Sequence, residues 1–186
     1  MNKEFISIVQ PRSMFNEARW QELDEALRGL PNQGCMVEIG CHQGGTLAYL
    51  AMLEPKRLCY GFDTFDAGVV GSCPEDGEPL RDGIMATSYS DTYDWLTHKL
   101  GCTNTILVKG DVRELLPLWN APPIAFVLID LNIYSPTLIA LEWVSDHCAE
   151  TTVVLVDDVG FPGVDQALAD SKVNWDKVGY MARVWL

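Results

Sequence analysis

The stretch Cys35-Met36-Val37-Glu38-Ile39-Gly40-Cys41-His42-Gln43-Gly44-Gly45 decides the fold. An apolar run closes on Glu38, turns at Gly40 and opens a helix at Gly44-Gly45-Thr46-Leu47. A buried strand feeding a glycine turn and then a helix N-terminus makes a pocket for a nucleotide-like ligand. Gly40 is expected because a side chain there would obstruct the ligand. Gly44 and Gly45 are expected to leave helix N–H groups free for a carboxylate or phosphate. Cys41, His42 and Gln43 separate Gly40 from Gly44, so there is no Gly-x-Gly. A bulky His42 where a pyrophosphate would lie points to a ligand without one, which counts against a nicotinamide-dependent oxidoreductase.

Working outward, Phe15, Ala18, Leu23, Ala26 and Leu27 predict a helix over 14–28, stopped by Gly29 and Pro31, within an N-terminal helical segment 1–33. Strands are expected at 35–39, 57–62, 105–108, 124–129 and 152–156, with a last one at 178–185. Helices fall between them, over 46–53, 89–100, 111–116, from Ser135-Pro136, and over 163–169. Strands that are apolar throughout and alternate with helices form a parallel sheet covered on both faces. The fold class is therefore α/β, a doubly wound, mostly parallel sheet. Residues 64–86 carry Gly68, Gly71, Pro74, Gly77, Pro79 and Gly83 and are expected to form a long lid loop.

A chain of 186 residues, 48% hydrophobic, makes one domain with a full core. A net charge of −13 argues against nucleic acid or an anionic membrane as partner. No apolar run reaches spanning length, and Met1-Asn2-Lys3-Glu4-Phe5 does not start a signal peptide. Six cysteines without Cys-x-x-Cys pairing fit a reduced, cytoplasmic protein without structural zinc.

In such sheets ligands bind beyond the carboxyl ends of the strands. Those ends carry Glu38, Asp63, Asp130 and Asp157-Asp158. Asp63 lies about one βα unit after the glycine turn, where an acid accepts from ribose hydroxyls. Asp111, in Lys109-Gly110-Asp111-Val112, either accepts from an adenine amine or caps the short helix after it.

With these residues in place the chain resembles the class I S-adenosylmethionine-dependent methyltransferases, and more narrowly the macrocin-type sugar O-methyltransferases, over about residues 34–170. The resemblance rests on Val37-Glu38-Ile39-Gly40 with Gly44-Gly45-Thr46, on Tyr60-Gly61-Phe62-Asp63-Thr64-Phe65-Asp66, and on Val108-Lys109-Gly110-Asp111 with Leu115-Leu116-Pro117. Leu128-Ile129-Asp130-Leu131-Asn132-Ile133-Tyr134-Ser135-Pro136-Thr137 and Val156-Asp157-Asp158-Val159-Gly160 are its more specific parts. It implies a Rossmann-like methyltransferase fold and methylation of a hydroxyl on a small molecule such as a sugar or polyol. It also implies that Glu38, Gly40, His42, Gly44, Gly45 and Thr46 contact the cofactor, with Asp63, Thr64 and Phe65 at the ribose and Asp111 and Val112 at the adenine. Asp130, Asp157 and Asp158 would hold Mg²⁺ or another hard divalent cation, whose preference for oxygen ligands they suit. Asp130 and Asn132 occupy the catalytic positions.

Two departures stand out. The macrocin-type pattern reads Asp-x-Asp-x-Tyr on the fourth strand, with the second Asp as general base; here that position is Asn132, and an amide does not take a proton at neutral pH. Either a metal-bound hydroxyl needs no strong base, or another group such as His42 serves, or the chain is an S-adenosylmethionine-binding module with lost catalysis. The oxidative chemistry named in the related cephalosporin-hydroxylase-like branch ranks low, because no two-His-one-carboxylate iron site is present. Second, fewer than thirty residues follow Asp158, so the sheet is expected to be shortened at its C-terminus. A shortened edge needs cover, and Trp185-Leu186 with the helix bearing Phe15 and Trp20 is a candidate homodimer surface; packing on their own core is the favoured reading. Phe65, Tyr89, Tyr93 and Trp95 are candidates to stack on a substrate ring.

Overall fold

The computed structural model describes residues 1–69, 71–77 and 83–186. Its strands are β1 (Cys35–Ile39), β2 (Cys59–Asp63), β3 (Thr105–Lys109), β4 (Ile124–Ile129), β5 (Val153–Val156), β6 (Asn174–Val178) and β7 (Met181–Trp185). They form a single sheet in the order β3-β2-β1-β4-β5-β7-β6. The first five are parallel, and β7 runs antiparallel to both β5 and β6. The helices are α1 (Lys3–Val9), α2 (Glu17–Leu27), α3 (Gly45–Leu53), α4 (Tyr89–Asp94), α5 (Val112–Leu115), α6 (Tyr134–His147) and α7 (Pro162–Asp170). This is the doubly wound, mostly parallel α/β sheet that the sequence leads one to expect.

Strand alternation divides the core in two. Met36, Phe126, Leu128 and Leu155 pack with Leu47, Leu50, Trp20 and Leu23 of α3 and α2. Val37, Ile39, Val127, Ile129, Val154 and Val156 face the other way, onto Val144, Ala140 and Leu168 of α6 and α7. Both faces of β1, β4 and β5 are buried, which is why those strands are apolar throughout. By the same alternation Glu38 points to the α2–α3 face.

The sheet is not shortened. The run expected as one strand at 178–185 is broken by Gly179, whose φ of +63° opens a two-residue turn between Val178 and Met181. Residues on both sides of that turn pair as the β6–β7 hairpin, so the antiparallel pair is present. The edge strand β6 is mostly exposed and carries Asp176 and Lys177, charges that discourage edge-to-edge pairing. Phe15 and Trp20 are 3% and 1% exposed, with the Trp20 ring tilted against both Phe15 and Tyr49, so they pack on their own core. Trp185 is half-exposed, with its Nε1 donating to Asp176 and Arg183 over its ring.

Other boundaries moved for local reasons. The helix expected at 14–28 starts at Glu17, because the Asn16 side chain accepts from the Arg19 N–H and fixes the cap there. Residues 3–9 add α1, capped by Asn2. The helix expected over 89–100 is α4 followed by a widened turn, in which the Leu100 N–H bonds the Trp95 carbonyl. Within the expected lid, short 3₁₀ turns occur at Phe65–Ala67 and Pro74–Asp76, while residues 70 and 78–82 lie outside the described residues. Asp76 is buried and accepts from the Tyr134 N–H at 2.6 Å, capping α6 from across the chain.

Gly40 is also required by its own backbone and by a close neighbour. It has φ +97°, and a Cβ there would overlap the Asp130 carbonyl of the adjoining strand end. Gly40→Ala should thus lower the unfolding free energy by roughly 2–4 kcal/mol, from left-handed backbone strain plus overpacking. Urea unfolding measures this, and a loss below about 1 kcal/mol would contradict it.

Candidate active site

A cavity opens at the carboxyl ends of β1, β2, β3 and β4. Among the sequence-predicted residues it is lined by Gly40, His42, Asp63, Thr64, Asp111, Val112, Asp130 and Asn132. Glu38, Gly44, Gly45, Thr46 and Phe65 are not part of that lining. Phe65 is fully buried, edge-on to Tyr89, so it is core rather than a substrate platform; Tyr93 is half-exposed on α4. Gly45 and Thr46 sit under the N-terminal segment: a Cβ on Gly45 would meet the Arg12 backbone, and Thr46 Oγ1 lies 3.2 Å from Ser13 Oγ. Gly44 donates its own N–H to the Cys41 carbonyl at 2.7 Å.

Asp63 is held by the turn itself. Its Oδ2 accepts from the His42 N–H at 2.7 Å and its Oδ1 from the Phe65 N–H at 2.6 Å. Each oxygen keeps a further lone pair toward the cavity, as a ribose hydroxyl would require. His42, at φ +47°, lines the cavity, and burial pulls its pKa down so that the ring is neutral near pH 7. Asp111 caps α5, accepting from the Arg113 N–H at 2.9 Å, and also pairs with the Arg113 guanidinium. The Arg113 hydrogen bond holds its carboxyl below the usual carboxylate range. Asp111 is therefore both the helix cap and a wall of the cavity.

Glu38 is 1% exposed and its Oε2 has no hydrogen-bond partner among the described residues. Burial, with the Asp63 charge adding to it, pushes its pKa well above the ordinary value. Charging such a group would cost several kcal/mol, so it stays protonated and can donate.

Asp130, Asp157 and Asp158 converge beside this cavity, with carboxylate oxygens within 4.8 Å of one another. Burial raises the Asp130 pKa well above its usual value, with the charges of Asp157 and Asp158 adding to the effect. Burial and then Asp158 push Asp157 up to about 6. Arg19 of α2 answers these charges, its Nε on Asp157 at 2.9 Å and its Nη2 on Asp158 at 2.5 Å. The Asn132 amide, at φ +59°, donates to the other oxygen of Asp158.

Residues 37–159 match the family model described as "Methyltransferase domain", about two thirds of the chain. The chain belongs to this methyltransferase family. Its fold is similar to that of CalS11, a calicheamicin methyltransferase, with a TM-score of 0.76 at 20% identity, covering 98% of this chain and 90% of that one. The O-methyltransferase NovP aligns with a TM-score of 0.75 at 16% identity over 94% of this chain and 81% of that one. An rRNA methylase from Streptococcus thermophilus gives 0.59 at 15% identity, over 93% and 98% of the two chains. No curated protein sequence matches the chain. At these identities the structural neighbours establish the fold, and the family model establishes the enzyme class, an S-adenosylmethionine-dependent methyltransferase.

Three features of the methyltransferase site escaped the sequence. Arg19 lies 138 residues from Asp157, and nothing local to its helix announces the contact. Met14 lines the cavity although it is far from the strand ends in sequence. Arg113 was legible only as a neighbour of Asp111, where a helix cap and a basic residue two positions later invite pairing.

The acidic cluster gives a signed pH effect. A carboxyl whose folded pKa exceeds its unfolded value contributes stability that is complete below about pH 4 and lost as pH rises through the folded pKa. For Asp157 that window runs from 3.8 to about 6, and for Asp130 it extends upward from 3.8. In chelator-treated buffer, Asp130→Asn should raise the melting temperature by several degrees at pH 8, with the gain shrinking toward pH 4. Calorimetric melting across that range checks it, and a pH-independent or negative change would contradict the charge account.

Proposed function

We propose that the protein moves the methyl group of S-adenosylmethionine to a hydroxyl of a small molecule, assisted by a divalent cation held by Asp130, Asp157 and Asp158. The observation that carries the metal is the convergence of three hard oxygen donors at adjacent strand ends, one of which, Asp130, also lines the cavity. Such a donor set suits Mg²⁺, which when bound would lower the pKa of a coordinated hydroxyl and neutralise the charge that develops on its oxygen. Asp63 is placed to accept from the ribose, and Asp111 with Val112 to border the adenine. Glu38, protonated and unpartnered, is a donor held behind the methionine end. His42, as a neutral ring on the cavity wall, contacts the cofactor. Asn132 takes no proton; its amide orients Asp158 instead. Walls on four strand ends and the N-terminal segment exclude water and align donor with acceptor, which is most of what methyl transfer needs. CalS11 is described as a TDP-rhamnose 3′-O-methyltransferase, which supports a sugar-type hydroxyl as the acceptor class here.

Titration with S-adenosylhomocysteine should show binding that Asp63→Ala weakens by about tenfold or more, the equivalent of one lost charge-assisted hydrogen bond. Transfer of a labelled methyl group to a panel of nucleotide sugars and polyols should fall about 10²-fold or more with a chelator or in Asp158→Ala. Absence of S-adenosylhomocysteine binding would overturn the cofactor assignment, and chelator-insensitive transfer would overturn the metal.

A second reading is a cofactor-binding module that has lost catalysis. It is favoured by Asn132 and Arg19 together occupying both oxygens of Asp158. On that reading Asn132→Asp restores transfer to an inactive protein; an unchanged rate would count against it.

A further inference from the structure

The N-terminal segment, whose Met14 lines the cavity, is tied to α3 and α4. Arg12 pairs with Asp91 at 2.5 Å and lies over the Trp95 ring, Ser13 meets Thr46, and the Trp20 indole donates to Gln10 at 2.7 Å. From α2, Arg19 then reaches into the acidic cluster. Its side chain is 17% exposed, its guanidinium lies 5.0 Å from the centre of the Tyr180 ring, and its edge donates to one oxygen each of Asp157 and Asp158. With Asn132 on the remaining oxygen of Asp158, that carboxylate has a donor on both oxygens. Asp157, 4% exposed, has one oxygen engaged as well.

A guanidinium carries five donors and no acceptor, so it neutralises carboxylates but cannot ligate a metal. Arg19 and a divalent cation therefore compete for the same oxygens, and two cations at such separation in a partly buried site repel strongly. The helix itself need not leave. Trp20 and Leu23 anchor α2 in the core, whereas the arginine side chain has several rotamers and an exposed aromatic face, Tyr180, along which to retreat.

We propose that Arg19 is the resident counter-cation of the acidic cluster, and that a divalent cation enters only as its guanidinium withdraws. This rests on the metal reading of the preceding subsection and adds a regulatory element to it. Metal-free, the chain's own arginine offsets part of the cluster's negative charge. Metal-loaded, the Arg19 guanidinium leaves both carboxylates and keeps only its face on Tyr180.

The test compares Mg²⁺ binding to the wild type, Arg19→Met and Arg19→Lys by calorimetry. It also follows the Arg19 Nε–H signal by ¹H–¹⁵N NMR during a Mg²⁺ titration of the wild type, with Arg19→Lys assigning the signal. Arg19→Met should bind Mg²⁺ about tenfold or more tightly than the wild type, since no charge-assisted pair must first be broken. Arg19→Lys, which keeps the charge but loses the fork, should fall between them. The Nε–H signal should move toward that of a free arginine as Mg²⁺ saturates. If Mg²⁺ binds the wild type as well as or better than Arg19→Met, or binds without moving the signal, the displacement is overturned while the metal site stands. If Mg²⁺ binds none of the three, the metal reading fails and the displacement with it. Should Arg19→Met not fold, Arg19→Lys and the wild-type signal decide alone.

Discussion

Repulsion among carboxylates is the constraint on which this site depends. Parallel strands deliver their carboxyl ends to one side of the sheet, and here those ends carry Glu38, Asp63, Asp130, Asp157 and Asp158. Each acid is accommodated differently. Glu38 is kept protonated by burial, and Asp63 is satisfied by two backbone N–H groups of its own turn. Asp157 and Asp158 share one guanidinium, and Asp130, left without a cation of its own, is driven toward the neutral form. A site built in this way is less stable than an apolar one and correspondingly receptive to cations. A sulfonium cofactor and a divalent ion are the charges that would relieve it.

The rest of the architecture serves that end of the sheet. The two-sided core fixes β1, β4 and β5 in register, so that Ile39, Ile129 and Val156 end side by side and the acids that follow the last two, Asp130 and Asp157-Asp158, are neighbours. Close contact of Gly40 with the Asp130 carbonyl sets the spacing of the two strand ends, and Asp76 starts α6 from outside its own sequence neighbourhood. Helix α2 then supplies Arg19, the one cation that enters the cluster among the described residues.

The parts of this legible in the sequence were those set by local chemistry. Continuous apolar runs at 35–39 and 124–129 read directly as buried parallel strands, and acids closing such runs read as ligand-facing. The C-terminal hairpin was missed because Gly179-Tyr180 turns the chain within a segment whose apolar residues run on either side of it. The second constraint on Gly40 was not legible because its close neighbour comes from a strand far along the chain. Gly45 and Thr46 gave the right helix start, but their cover is the backbone near Arg12 and Ser13, again a long-range contact. Arg19 belongs to the same class: its role exists only once α2 is folded over β5. Local pattern located the site, and tertiary contact determined its charge balance.

The account stands most directly on where the cofactor sits. A crystal structure with S-adenosylhomocysteine should place the ribose hydroxyls on Asp63, the adenine between Asp111 and Val112, and the homocysteine sulfur on the side of the cavity that Asp130 lines. A ligand bound elsewhere, or a cavity that excludes it with Asp63 facing only its own turn, would contradict the assignment of this end of the sheet as the methyl-transfer site.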